Sequence, residues 1–258
     1  MSAHHGVVPS APLRYAEQVT KTVASRCGHR LAASYLHGSA VLGGWVAERS
    51  DVDILFVVAA DITQADAIAL GEVLVAAGAD CPGRGLETSV VTTSQAARPA
   101  EPWPFVVHCG PGATGQRLVD GGERPGDDDL IMHYAVCRAA GVAVSGPAPE
   151  RMIGPVPRAV ILGYLAGELD WGLAHAPESY AVLNACRALE YLTRGRIVSK
   201  VAGGEAMRSG ESDPSVAAPA GLVERALEQQ RAHSPEQPPG ADAIAFVRAI
   251  GARLRSGR

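Results

Sequence analysis

The chain has 258 residues, of which 47% are apolar and 19% charged, as in an ordinary globular protein long enough for two modest domains or one large one. A formal net charge of −4 and only 5% aromatic residues argue against wholesale nucleic-acid binding and against a stacking surface for single strands. No apolar run is long enough to span a bilayer, and MSAHHGVVPSAPLR has no apolar core of signal-peptide length.

The expected location is therefore cytoplasmic. Cys27, Cys81, Cys109, Cys137 and Cys186 are odd in number, scattered and free of any CxxC pair, so they are expected to be reduced thiols.

Pro12 to Gly28 carries apolar residues at loose helical spacing and is expected to be a helix. Leu31 to Tyr35 reads as a short strand leading into Gly38-Ser39. Ala40 to Ala47 reads as a short helix despite Gly43 and Gly44. Asp51 and Asp53 then precede Ile54-Leu55-Phe56-Val57-Val58, a continuous apolar run expected to be a buried strand. Side chains alternate along a strand, so Asp51 and Asp53 share one face. Two carboxylates so close suit Mg²⁺, which takes its remaining ligands from water and substrate phosphates. Gly38 has no Cβ to keep an anion from the backbone. A phosphate cradle beside such a carboxylate pair is equipment for phosphoryl or nucleotidyl transfer.

Thr63 to Ala77 is expected to be a helix and Leu86 to Thr92, with its β-branched alternation, a strand. Glu87 lies inside that strand, where an acid is costly unless paired, metal-bound or catalytic. It is an exposed residue on an edge strand, a third metal ligand, or a general base that deprotonates an attacking hydroxyl. Phe105 to Cys109 reads as another strand, and Asp127 to Ala140 as a helix with Asp127-Asp128-Asp129 at its positive end. Those three acids serve as a cap, or one of them faces the site. Val142 to Ser145 reads as a last edge strand. His37 and His108 fit core or cleft equally, and His4 and His5 read as a solvated tail.

After Pro149 the segments are helical in composition: Val156 to Ala174, Glu178 to Arg194, Lys200 to Ser209, Ala220 to Ala232 and Ala241 to Ser256. Ser212 to Pro219 and Ser234 to Gly240 are loops. A domain boundary is therefore expected near residue 150. The expected architecture is an α/β (α+β) domain with a mixed sheet over 1–150, followed by an all-α helical-bundle domain over 151–258. Trp171 and Tyr164 read as core residues. Arg187, in VLNACRALEYL, and Lys200, after the Arg194 to Arg196 turn, are candidate cations for a phosphate chain.

The order Gly38-Ser39, then Ser50-Asp51-Val52-Asp53-Ile54, resembles the signature of the DNA-polymerase-β-like nucleotidyltransferases. LETSVV, DDDL, SGPAPE and YAVLNACRALEYLTRGRIVSKVAGGEAM extend the likeness to the streptomycin/spectinomycin adenylyltransferases of antibiotic resistance, over residues 30 to 255. The resemblance implies that Asp51 and Asp53 bind two Mg²⁺ ions, with Glu87 as catalytic base or further ligand. It implies that Gly38, Ser39, Ser50 and Asp129 lie at the nucleotide, and that Arg187 and Lys200 reach the triphosphate in a cleft between the domains.

The implied reaction moves AMP from ATP to a hydroxyl of an aminocyclitol or aminoglycoside. The expected partners are ATP and that small acceptor, with no nucleic acid and no membrane, and the expected state is a monomer. Two drug-binding positions depart from the family. His108 to Arg117 holds no tryptophan, and Pro177 replaces an aspartate, so spectinomycin is favoured over streptomycin. A tyrosine near the nucleotide corresponds to Gln229 or a neighbour. The alternatives are another acceptor, whether small molecule or protein side chain, a non-catalytic nucleotide-binding regulator, and a polynucleotide-extending enzyme, which the acidic charge disfavours.

Overall fold

The computed structural model describes residues 8–112, 115–231 and 237–257. His4, His5, the end of the expected helix at Ala232 and residues 234–236 of the expected loop lie outside them. The chain divides into two compact units, Met1–Val156 and Pro157–Arg258.

In chain order the first unit holds α1 (Ser10–Cys27), β1 (Leu31–His37), β2 (Val52–Val58), α2 (Gln64–Ala77), β3 (Leu86–Thr92), α3 (Thr93–Ala97), β4 (Val107–Gly112), β5 (Gly115–Asp120), α4 (Leu130–Ala140), β6 (Val142–Ser145) and α5 (Pro149–Met152). Its described strands form a six-stranded mixed sheet in the order β5-β4-β3-β2-β1-β6. Only β2 and β3 run parallel. The residues Ile54 to Val58 are fully buried, as a central strand covered on both faces requires.

The two sheet faces differ in chemistry. One carries Ser34, Phe56, Val90 and Cys109 beneath α1 and α2, with Thr20 Oγ1 donating to Ser34 Oγ at 3.0 Å. Residues opposite each other in neighbouring strands share a face, so register places His37, Asp53, Glu87, Ser89 and His108 together on the other. Helix α4 packs on that side, against β1 and the turn that follows it.

The second unit holds α6 (Arg158–His175), α7 (Glu178–Arg194), α8 (Lys200–Arg208), α9 (Leu222–Arg231) and α10 (Ala241–Ser256). Helix α7 is its centre: eleven of its seventeen residues are buried, and α6, α8, α9 and α10 all pack on it. Gly203 and Gly204 set how closely α8 approaches. A Cβ on Gly203 would stand 2.6 Å from the Arg187 nitrogen, and one on Gly204 2.6 Å from a Leu183 methyl.

Several expectations from sequence change. Ala40 to Ala47 is not a helix. Gly38–Ala40 makes one 3₁₀ turn, and the left-handed Gly43, φ +73°, ends the winding. Helix α4 begins at Leu130 rather than Asp127, because the Asp127 carboxylate accepts the Asp129 N–H at 3.1 Å and holds the acids in a turn. The strand expected at Phe105 begins at Val107 and continues to Gly112. Strand β5 was not anticipated at all. Trp171 is 49% exposed, not core, with its ring on His175 and edge-on to Tyr180.

Candidate active site

The site begins where β1 gives way to a turn. His37 is still extended, and Gly38 then swings to φ +64°. A Cβ on Gly38 would lie 1.9 Å from Asp53 Oδ2, so the turn backbone rests directly against that carboxylate. Glycine is needed twice here, for the left-handed conformation and for the close approach. Ser39 sits inside the same 3₁₀ turn, and its carbonyl accepts the Gly44 N–H at 3.0 Å. Gly38→Ala is expected to cost about 1–2 kcal/mol from φ alone, and also to displace Asp53. Catalysis should therefore fall much further than stability; melting temperature compared with pyrophosphate release checks this.

The acids come from adjacent strands. Asp53 and Glu87 are register partners on parallel β2 and β3, so their backbones lie about 4.8 Å apart on one face. Asp51 stands just before β2, two residues from Asp53, and its Oδ1 lies 3.6 Å from Arg84 Nε. The loop bearing Arg84 is tied to the strand start: Val52 N–H donates to the Gly85 carbonyl and Arg84 N–H to the Ser50 carbonyl, both at 2.9 Å. The Ser50 hydroxyl accepts the Val46 N–H at 3.0 Å, closing the loop that delivers Asp51.

Glu87 is surrounded by acid. Its carboxyl is pushed up to about 7, first by burial and then by Asp51, with Asp129 and Asp127 adding and His108 opposing. A carboxylate strained this way by its neighbours marks a place that favours a cation. Among the described residues no three His, Cys, Asp or Glu side chains are grouped to hold a metal by themselves. Asp51 and Asp53 fit the other pattern, a Mg²⁺ that takes the rest of its shell from phosphate oxygens and water.

Three histidines line this face, and the sequence assigned none of them. His108 Nδ1 is 3.0 Å from Ser89 Oγ and 3.8 Å from Asp127 Oδ2. His133, in the first turn of α4, has Nε2 at 3.8 Å from Glu87 Oε1. The His37 ring lies 4.8 Å from that of His133, centre to centre. Burial holds all three below the usual histidine range. Of the acidic cluster, both Asp127 and Asp129 are half-buried and Asp128 is exposed. Asp127 is anchored by its N–H to the Trp103 carbonyl at 3.0 Å, beneath a Gly126 whose Cβ would stand 1.5 Å from the Pro102 carbonyl oxygen. The one available signal for His133 was spacing: it follows Asp129 by one helical turn.

In the second unit, Arg187 and Lys200 belong to neighbouring helices. Gly203 brings α8 onto the Arg187 backbone, while the Arg187 guanidinium donates to the Asn184 side chain. Lys200 is the first residue of α8, with Nζ 4.2 Å from the centre of the Tyr180 ring, and Ser199 caps the helix by accepting the Ala202 N–H at 3.1 Å. Both cations are half-buried. Pro177 is the cap of α7, and Gln229 lies on α9.

No family model matches this chain. Among solved structures, the spectinomycin adenyltransferase from Enterococcus faecialis, determined with ATP and spectinomycin, aligns over 92% of this chain and 97% of its own, at 17% identity and a TM-score of 0.64. The chain shares the fold of that enzyme. A c-UMP-AMP synthase from Rhodothermus marinus aligns over 98% of this chain and 94% of its own, but at 12% identity and a TM-score of 0.28. The likeness is one of fold, and the site residues stand on the geometry given above.

Proposed function

We propose that the chain is a magnesium-dependent adenylyltransferase that moves AMP from ATP to a hydroxyl of an aminocyclitol, with spectinomycin favoured over streptomycin. The observation that carries this is the pairing of Asp53 with Glu87 on adjacent parallel strands, with the Gly38 turn pressed on the Asp53 carboxylate. Support for the acceptor comes from the fold shared with an enzyme solved with ATP and spectinomycin.

Magnesium, held by Asp51 and Asp53, would supply charge neutralisation on the phosphates. Glu87 takes the proton of the acceptor hydroxyl, with a basicity raised towards neutral pH as a general base needs. The freed oxygen forms its bond to the α-phosphorus in line as the bond to the β-phosphate oxygen breaks, and pyrophosphate leaves. Gly38 and Ser39 offer their turn backbone to the phosphates beside the Asp53 carboxylate, with Ser50 and Asp129 beside the nucleotide. Arg187 and Lys200 offset the charge of the departing pyrophosphate.

A panel of aminocyclitols and aminoglycosides with ATP and Mg²⁺, read by pyrophosphate release, tests the acceptor. Spectinomycin should be turned over well and streptomycin poorly. Pro177 offers no carboxylate for a drug cation, and the His108 to Arg117 stretch no tryptophan, losses worth about 1–3 kcal/mol each. Equal use of both drugs contradicts that preference. Use of neither, by a protein that still binds MgATP, moves the acceptor to another small molecule or a protein side chain.

A further inference from the structure

We propose that His133 is a positioning residue for Glu87: its neutral imidazole donates from Nε2 to Glu87 Oε1 and so aims the carboxylate at the acceptor hydroxyl. This rests on the reading of Glu87 as the base.

Three observations carry it. The first is placement. His133 lies in the first turn of α4, where its N–H donates to the Asp129 carbonyl at 3.1 Å, so its backbone is fixed by a regular element rather than a loop. Its Nε2 stands 3.8 Å from Oε1. That is about 0.8 Å beyond an ordinary N–H···O bond, a gap that a small rotation of the more exposed Glu87 side chain closes, and catalytic contacts are commonly long before substrate binds.

The second is the proton. His133 Nδ1 is buried and has no hydrogen-bond partner among the described residues. A neutral imidazole carries one N–H, and a buried N–H without an acceptor is the rarer and costlier orphan. The proton therefore belongs on Nε2, the nitrogen that faces the carboxylate.

The third is the clamp. The His37 ring packs on His133 at 4.8 Å between centroids and 50° between planes. His37 is itself 2% exposed and has a buried Nε2 without a partner. A second imidazole there is an expensive way to fill space, and it is a rigid wall that limits ring rotation of His133. His108 is differently engaged, with Nδ1 on Ser89 Oγ, and does not compete for this role.

The test compares His133→Phe, which fills the volume without a donor, with His133→Gln, whose amide restores one. Turnover should fall about 10–100-fold in the phenylalanine variant, the usual effect of removing a group that orients a functional ligand. The KM for ATP should stay within about twofold, and His133→Gln should recover most of the rate. In a Glu87→Gln background, His133→Phe should bring no further loss. A loss that glutamine does not restore, or one of equal size in the Glu87→Gln background, overturns the proposal, as does a phenylalanine variant with wild-type turnover. If His133→Phe does not fold, His133→Leu takes its place.

If wild-type protein modifies no acceptor, the function proposed above fails separately, and thermal unfolding decides for His133. The two substitutions should then be non-additive in the absence of ATP and magnesium. Strict additivity overturns the contact.

Discussion

Replacing Asp53 with asparagine is expected to abolish transfer while the protein stays folded. The carboxylate touches the Gly38 turn on one side and faces Glu87 across the strand pair on the other. Asparagine keeps its shape and hydrogen-bonding reach but removes the charge that a magnesium ligand must supply. Losing one such ligand removes several kcal/mol of transition-state stabilisation, which is about 10³-fold or more in rate. Asp51→Asn should behave alike. Its pair with Arg84, a largely exposed side chain, is worth less than about 1 kcal/mol, so little stability is lost with it. Melting temperature without magnesium should hold or rise in both variants, since crowding of like charges is relieved. Turnover within tenfold of wild type at saturating magnesium, in either variant, would remove these residues from the metal site.

Glu87→Gln should spare ATP binding and lose the chemical step. A general base contributes about 10²–10⁴-fold, and glutamine keeps the shape without the basicity. Calorimetry should find ATP affinity unchanged while turnover collapses. The reverse result, lost affinity with turnover spared at high ATP, would make Glu87 chiefly a metal ligand.

The same variant has a signature in stability. The Glu87 carboxyl is raised from 4.5 to about 7 in the folded protein. Between these values the folded state holds a proton that the unfolded state has released. The stability from that proton is present in full below pH 4.5 and is lost as pH rises through 7. In magnesium-free buffer, wild type and Glu87→Gln should therefore differ least near pH 4.5. At pH about 8 the variant should be the more stable by about 1–3 kcal/mol, the lower end reflecting the solvent that reaches the carboxylate. Thermal unfolding at the two pH values checks the sign.

The sheet centre was legible because its residues admit one environment. Ile54 to Val58 is apolar without interruption and lies fully buried, and Leu86 to Thr92 is rich in β-branched residues, with Thr88 to Val91 buried in a row. The segment Ala40 to Ala47 reads as a short helix from sequence, but Gly43 adopts a left-handed turn there. Strand β5 had no signal of its own. Its residues are exposed or half-buried at a sheet edge, and its pairing comes from β4.

At the candidate site, chain order pointed to the carboxylates, because Asp53 and Glu87 lie in, and Asp51 just before, locally recognisable strands. Register, which no sequence pattern prints, is what sets Glu87 beside Asp53 and carries Ser89 and His108 onto the same face. The histidines stayed unassigned for the same reason. His37 and His133 are nearly a hundred positions apart and meet only through the packing of α4 on β1. Trp171 reads as core from sequence, yet half its surface is open and its ring packs on those of His175 and Tyr180.

The most direct measurement is mass spectrometry of spectinomycin after incubation with the protein, ATP and Mg²⁺, with pyrophosphate measured in the same tube. Nucleotidyl transfer predicts drug carrying one AMP and an equal amount of pyrophosphate, with both absent in Asp53→Asn. Phosphorylated drug with ADP, or ATP cleaved to ADP and phosphate beside unmodified drug, would contradict it.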